Sequence, residues 1–408
     1  PGGRNRRRRR SGTPMIGISN LYCGSRERSD ALRYGEGAAR STSRAPRPIV
    51  VWNCTRACNL RCVHCYSAST GPVGKKELST DAGLAMLEDL ARFGVPVVLF
   101  SGGEPLMRQD LFTLIRRAAE LGIRPVLSTN GTRIDRRVAE RLREAGTRYV
   151  GVSLDGLRET NDAFRAVEGA FDRALAGIRY CRKAGIKVGL RFSMTRRNAA
   201  EIGDVFDLVR DEGLPRVCFY HLVYAGRGSL LRREDLDHEA TRRAVDLIID
   251  RTAGMHAGGH RAEVLTVDNH ADGPYLYLRM VREKHPRAEE ALRLLRQNGG
   301  NASGSRIASI GWDGEVHPDQ FWRHKSLGTV VERTFGEIWS DGTDPLLAAL
   351  RHRRAHLKGR CARCRFLDLC GGNFRARAEA VTGDPWAPDP ACYLTDEEIG
   401  LAPEAAEE

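Results

Sequence analysis

At 408 residues, with 41% hydrophobic and 29% charged side chains, the chain has the composition of an ordinary globular protein and exceeds the size at which one core keeps growing, so one large domain plus a smaller one is expected. No apolar run reaches the roughly 18 residues of a membrane span, which sets a transmembrane protein aside, and the net charge of +13 is partly an end effect, because Arg4 and Arg6 to Arg10 supply six of those charges. Seven of the eleven cysteines fall into two spaced groups, a distribution that favours metal ligation in a reducing compartment, the cytoplasm, over disulfides.

Taken in order, residues 1–14 carry the arginine run, and the Ser11-Gly-Thr-Pro14 that follows is no apolar signal region. With Pro1 in first place and Met15 close behind, these residues read as an artefact of the chosen start; removing their six arginines leaves a charge of +7. Ser19 to Arg47 is polar without a strong period, so 1–47 is expected to wrap the surface, with Cys23 a partly buried thiol without chemistry. From Pro48 to His221 short β-branched runs alternate with helical periods. Strands are predicted at Ile49 to Asn53, Val95 to Ser101, Pro125 to Thr129, Tyr149 to Leu154, Lys187 to Met194 and Arg216 to His221. Helices are predicted near Thr80 to Phe93, Asp110 to Leu121, Arg136 to Ala145, Ala170 to Ala184 and Ala199 to Glu212, each ended by a glycine (Gly94, Gly122, Gly146, Gly185, Gly213). Eight β/α units would close a barrel. Six imply an α/β domain at 48–222 built as a partial (β/α)6 barrel, open on one side to a bulky substrate, with its chemistry at the carboxyl ends of the strands.

Just past the first strand, Cys58, Cys62 and Cys65 stand at C-x3-C-x2-C spacing, which lets three thiolates converge on one metal centre. A 4Fe-4S cubane normally takes four cysteines, so three leave one iron open to a ligand that is not protein; a structural zinc site is closed by four, and its C-x2-C pairs come in twos. Cys54 ends the apolar run Ile49 to Trp52 and reads as the last residue of a buried strand rather than a fourth ligand. At later strand ends come Ser101-Gly102-Gly103-Glu104-Pro105, Ser128-Thr129-Asn130-Gly131 and Ser153-Leu154-Asp155-Gly156. In the first of these, glycines let backbone approach a ligand and the glutamate can accept from an ammonium group. Arg191, on the fifth strand, points into the barrel if Val188 and Leu190 face the helices, and a charge there needs an anion, from the cofactor or from a substrate carboxylate.

Residues 223–305 break the repeat. They hold a helix near His238 to Ala257, a short apolar strand before the polar group Asp268, Asn269, His270 and Asp272, and two further helices. That polar group serves either to close a helix start or to touch substrate. From Arg306 a hairpin is predicted with its turn at Asp313-Gly314; His317 and His324 flank it and are expected to be solvated. The last module, 306–408, carries Cys361, Cys364, Cys370 and Cys392 at C-x2-C-x5-C-x21-C, enough to close one cluster or one zinc site. Cys181 and Cys218 fall in a helix and a strand and read as apolar core.

Cys58-Asn-Leu-Arg-Cys62-Val-His-Cys65-Tyr66 resembles the signature loop of the radical S-adenosylmethionine (radical SAM) enzymes. The resemblance implies a 4Fe-4S cluster on Cys58, Cys62 and Cys65 whose open iron chelates S-adenosylmethionine. It also implies that Gly102, Gly103 and Glu104 hold the methionine amino group, that Ser153 and Arg165 bind S-adenosylmethionine, and that Tyr66 flanks the adenine. The reaction it implies is one-electron cleavage, fed by a donor such as ferredoxin or flavodoxin, to methionine and a 5'-deoxyadenosyl radical that removes hydrogen from unactivated carbon. The C-terminal cysteines resemble the SPASM and twitch extensions, which carry auxiliary clusters. Because the hairpin offers Ser309 and Asp319 but no thiol, one auxiliary 4Fe-4S cluster is expected.

Longer stretches, Met15 to Gly24, Phe219 to Gly228, Thr266 to Gly273, His317 to His324 and Arg375 to Gly383, resemble the 12,18-didecarboxysiroheme deacetylase family of the alternative haem pathway. This implies an iron tetrapyrrole substrate that loses two acetate groups to give iron-coproporphyrin III; the related haem d1 synthesis enzymes and iron-coproporphyrin decarboxylases share these motifs. A ring rimmed with carboxylates wants arginines, for which Arg191, Arg227, Arg323, Arg375 and Arg377 are candidates, and its iron could take His221, His270, His317 or His324. A peptide-modifying maturase would need a folded leader-recognition domain, and the stretch before Pro48 is too short and too poor in apolar residues to be one. An iron-sulfur electron carrier would leave the Gly102-Gly103-Glu104 turn and the barrel unexplained. Nucleic-acid binding rests on the terminal arginines alone, without interleaved aromatics.

Overall fold

The computed structural model describes residues 15–35, 47–72 and 76–401; the expectation for 1–14 lies outside them. Its strands are β1 (Ile16–Gly17), β2 (Ile49–Thr55), β3 (Val97–Gly102), β4 (Arg124–Thr129), β5 (Tyr149–Ser153), β6 (Lys187–Met194), β7 (Arg216–His221), β8 (Glu263–Val267), β9 (Ile307–Ile310) and β10 (Val316–His317). They form one sheet in the order β1-β8-β7-β6-β5-β4-β3-β2-β9-β10, open at both ends. The six central strands β2 to β7 are parallel and follow chain order, with crossover helices on the outside. Covered by helices on their outer face, β2 and β3 are near-continuous apolar runs, as parallel strands tend to be, with all seven residues of β2 buried, while β4 and β6 alternate buried with half-buried residues.

Two of the crossover helices start on side-chain caps, Ser79 accepting from the Ala82 amide and Asp135 from that of Val138. The five glycines expected at helix ends all stand at positive φ, with Gly94 in the cap position itself.

Four strands extend the sheet beyond the expected six: β8 and β9 on either edge, then β1 antiparallel to β8 and β10 antiparallel to β9. β8, inside the 223–305 region, pairs in parallel with β7, and β9 pairs in parallel with β2. β9 and β10 form the expected hairpin, with Gly314 at positive φ in its turn. The bridging region and the extension thus lengthen the sheet at both edges.

Side chains alternate across the sheet. On β6, Val188, Leu190 and Phe192 pack into the outer core while Arg191 faces the lumen. On β7, Val217 and Phe219 point out, and Cys218 packs inward with Leu265 and Val267. Cys181 and Cys54 are buried in the outer core as expected, and burial pushes both thiols up to about 12. At the amino ends of the strands, Glu263 gathers Arg33, Arg216 and Lys187 into a buried ion network that closes the barrel floor. No helix among the described residues is long and apolar enough to cross a membrane.

Candidate active site

The cysteine loop runs across the carboxyl ends of the strands and is pinned on three sides. On the first, the amides of Gly103 and Glu104 donate to the carbonyls of Thr55 and Ala57 at 2.8 and 2.7 Å. Only glycine permits this approach, since a Cβ on Gly103 would lie 2.1 Å from the Ala57 oxygen. On the second, the helix Arg158–Arg165 takes the amides of Arg61 and Val63 with its last carbonyls. On the third, Arg227 donates to the carbonyls of Cys62 and Ser69 through its side chain and to that of Cys65 through its amide. Arg227 is thereby committed to the loop.

Cys58, Cys62 and Cys65 border one inner cavity of about 280 Å3. Burial pushes the Cys58 thiol up to about 12 and raises that of Cys62, so thiolates there need a cation against them. Iron supplies one, and each iron of a cubane takes its own cysteine, which asks for thiols around a space. Among the described residues, no three His, Cys, Asp or Glu side chains meet at the spacing of a single metal ion. Donor set and setting fit a cluster.

The same cavity is bordered by Tyr66, Gly102, Gly103, Ser153, Arg165 and Arg191, so the structure gathers all but one of the residues expected to hold S-adenosylmethionine. Tyr66 donates to Asn53 Oδ1 at 2.8 Å and lies 3.1 Å from Ser101 Oγ. Glu104 is the exception: it is fully buried beneath the glycine turn and accepts from Thr129 Oγ1 and the amides of Asn130 and Leu106. Arg165 reaches Cys62 Sγ at 3.4 Å and pairs with buried Asp155, which His64 approaches at 3.2 Å. Burial would raise the Asp155 carboxyl, but Arg165 and His64 outweigh it and hold it well below the usual range. Neither Asp155 nor His64 was singled out from sequence; the adjacency of Asp155 to the Ser153 motif was the available signal.

The candidate substrate residues separate. Arg191 faces the inner cavity, donating from Nη1 to Ser128 Oγ at 2.6 Å. His221 borders the same cavity with Nε2 held by Asp272 at 2.9 Å. A second, outer cleft of about 770 Å3 takes Arg56, Arg323, Trp312 and His324 and shares Tyr66, Val223 and Phe321 with the inner one. Tyr66 and Phe321 meet edge to face between the two, with centroids 5.3 Å apart. Arg323 lies over the Trp312 ring at 3.3 Å, while His324 is exposed against Glu379.

His270 and His317 lie behind the cavities. His270 is buried with its pKa pushed down to about 3 by desolvation, and His317 is fully buried with Nδ1 against the Lys325 carbonyl, not solvated. Arg375 and Arg377 are also fully buried. The first donates to the carbonyls of Pro385, Ala387 and Gly372, the second pairs with Asp389, and neither borders the inner cavity or the outer cleft.

In the extension, Cys361, Cys364, Cys370 and Cys392 line one small enclosed space. Burial drives the Cys370 and Cys392 thiols up to about 12, the same demand for a cation as in the barrel. Gly300 packs on the Cys370 carbonyl, where a Cβ would sit at 2.1 Å. Asn269 joins this module to the barrel edge by accepting from Asn373 and donating to the Ala391 carbonyl.

Comparison with known proteins bears on these two centres. The sequence profile of the radical SAM superfamily matches residues 52–223, and an Fe-coproporphyrin III synthase of Methanosarcina barkeri (strain Fusaro / DSM 804) is 57% identical over 95% of this chain and 99% of its own length. The chain belongs to the radical SAM superfamily. An iron-sulfur cluster-binding SPASM domain matches residues 302–365, a span that includes Cys361 and Cys364 and stops short of Cys370 and Cys392. The cofactors of this radical SAM chain are a 4Fe-4S cluster with S-adenosylmethionine and an auxiliary iron-sulfur cluster. A pre-heme d1 synthase of Dinoroseobacter shibae (strain DSM 16493 / NCIMB 14021 / DFL 12) is 48% identical over 88% of this chain and 89% of its own. An AdoMet-dependent heme synthase of M. barkeri is 33% identical over 85% and 96%. Among solved structures, anSMEcpe with bound AdoMet and a peptide superposes with a TM-score of 0.67 at 19% identity, covering 86% of this chain and 95% of that one. At that identity the likeness is one of fold.

Proposed function

We propose that the chain removes the two acetate side chains of 12,18-didecarboxysiroheme, giving iron-coproporphyrin III. The observation that carries this reading is the 57% identity across nearly the whole length of a relative named Fe-coproporphyrin III synthase. In this account Cys58, Cys62 and Cys65 hold the cluster that binds S-adenosylmethionine. Gly102, Gly103, Ser153, Arg165 and Tyr66 seat S-adenosylmethionine, with Glu104 bracing the glycine turn from beneath through Thr129 and the Asn130 amide, and Cys361, Cys364, Cys370 and Cys392 hold the auxiliary cluster. When bound, cluster and S-adenosylmethionine together supply hydrogen abstraction at an unactivated carbon. The electron comes from a ferredoxin or flavodoxin, and cysteines committed to cluster ligation suit a reducing cytoplasm.

The chain's own residues position and shield. The inner cavity, at about 280 Å3, lies at the lower end of the roughly 300 to 1,000 Å3 usual for one drug-sized ligand, which in this reading is taken up by S-adenosylmethionine. The ring therefore lies in the outer cleft of about 770 Å3, with one edge entering past Tyr66 and Phe321. Arg56 and Arg323, both over the Trp312 ring, meet its outer carboxylates, and Arg191 meets the edge that enters. Tyr66 and Phe321 then exclude water from the reacting carbon.

The test is anaerobic reconstitution followed by incubation with reductant, S-adenosylmethionine and each candidate tetrapyrrole. Mass loss equal to two acetates from didecarboxysiroheme is expected. Loss of carbon dioxide from propionates, or turnover only of the substrate of the pre-heme d1 synthases, would move the assignment to those relatives.

A further inference from the structure

The polar group after β8 divides its labour. Asn269 and Asp272 are structural: the first ties the barrel edge to the extension, and the second accepts from Tyr393 and holds His221. Asp268 does neither. It leaves β8 at φ +67, a left-handed conformation costly for a residue with a Cβ. Its side chain is 8% exposed, borders the inner cavity, and makes no hydrogen bond or ion pair with any described residue.

Two donors beside it are also unused. Arg191 Nε is buried without a partner, in space that exists because Gly151 has no side chain: a Cβ there would lie 2.4 Å from that nitrogen. Tyr220 makes no hydrogen bond, and its ring lies 5.9 Å from the Arg191 guanidinium. Arg191 Nε is buried outright, a costly state for an unpaired donor, while the Asp268 carboxyl and the half-buried Tyr220 hydroxyl line the same cavity without partners; three unpaired polar groups around one cavity point to a ligand.

The charged and titratable groups facing Asp268 are Arg191 on β6, Tyr220 and His221 on β7, Asp319 after β10, and Arg377 on the helix Arg375–Thr382. Arg377 is spent on Asp389 and His221 on Asp272, while Asp319 accepts from Ser303 and the Phe321 and Trp322 amides. None of these groups hydrogen-bonds or ion-pairs with Asp268; Arg377, His221 and Arg191 favour its charge from a distance, and burial together with Asp319 outweighs them. Burial pushes its carboxyl up to about 7, so near neutrality a large share of it carries its proton.

We propose that Arg191, Tyr220 and Asp268 form a receptor for a carboxylate of the substrate's acetate side chain, with the Asp268 carboxyl O–H donating the third hydrogen bond. This rests on the tetrapyrrole reading above and adds a consequence to it. The receptor recognises the group that the reaction removes, so substrate is held and product, lacking acetates, is let go.

The test is spectrophotometric titration of the full chain, reconstituted without oxygen and kept unreduced so that no turnover occurs, with didecarboxysiroheme and with iron-coproporphyrin III. Asp268→Ala is expected to weaken didecarboxysiroheme binding by about tenfold while leaving iron-coproporphyrin III within about twofold, and Asp268→Asn, which keeps a donor, to recover most of the loss. Equal weakening of both ligands, no weakening of either, or an Asn variant as poor as Ala would overturn the receptor. If the wild-type chain binds neither tetrapyrrole, the functional reading falls and the receptor with it; failure of the receptor alone leaves wild-type binding intact.

Discussion

Arg377→Met separates a structural arginine from a substrate-binding one. Arg377 Nε and Nη2 each lie 2.9 Å from an Asp389 oxygen, and both side chains are wholly inaccessible. Methionine keeps most of the stem volume and deletes the cation, leaving Asp389 with only the amides of Phe374 and Ala391. Breaking a buried pair from one side costs about 3 to 5 kcal/mol, a large part of the roughly 5 to 15 kcal/mol that holds a domain folded. The damage lies next to Cys392, a proposed cluster ligand, because the Asp389 carbonyl accepts from the Cys392 amide at 3.0 Å. Anaerobic urea unfolding should therefore show an earlier transition, and iron analysis a fall from about eight atoms per chain toward about four, the content of one cubane. Unchanged stability and iron with weakened tetrapyrrole binding would refute this and return Arg377 to the substrate.

Cys62→Ala should abolish formation of 5'-deoxyadenosine from S-adenosylmethionine, whereas Cys364→Ala should retain some cleavage uncoupled from substrate, both read by chromatography after anaerobic reduction. Gly103→Ala places a methyl 2.1 Å from the Ala57 oxygen; the cysteine loop must move, and iron at the barrel centre should be lost while the auxiliary cluster stays. Glu263 supplies a pH signature: burial opposes its charge, but Arg33 and Arg216 prevail and lower its pKa from 4.5 to about 2. A lowered folded pKa gives stability that is present above the unfolded value and lost as pH falls from about 4.5 through about 2, here about 3 kcal/mol. Glu263→Gln should be less stable at pH 7 and show a flatter acid limb in unfolding measurements between those values.

The barrel was legible because parallel strands buried on both faces are written as local apolar runs, and because glycines punctuate the helices between them. β8 and β9 were expected as a short apolar strand and a hairpin arm, but nothing in them showed that they join the barrel sheet. Val264 to Val267 is an apolar run without a following β/α unit, and the pairing of β9 with β2 joins residues some 250 positions apart, which no local period encodes. The helix Arg158–Arg165 escaped because Ala166, not a glycine, takes the left-handed cap, at φ +53.

In the site, cysteine spacing pointed to the two groups of thiols that the fold gathers around the inner cavity and the enclosed space of the extension, since thiols meant to share a cluster must lie on short loops or in one small module. Arginines were a different matter. Arg191 could be aimed from strand alternation, but nothing around Arg375 or Arg377 announces the carbonyls of Pro385 and Ala387 or the Asp389 carboxylate that absorb them. Asp268 and Asp272 look alike in sequence; only the turn between β8 and the following helix sends one to the cavity and the other to His221.

The central claim is an iron-sulfur cluster held by three cysteines, with one iron left for S-adenosylmethionine. It is tested most directly by electron paramagnetic resonance of the anaerobically reduced Cys364→Ala chain before and after addition of S-adenosylmethionine. A cluster signal that changes on addition, and is missing when Cys62→Ala is introduced as well, is the predicted result. A signal indifferent to S-adenosylmethionine, or one that survives the loss of Cys62, would contradict it.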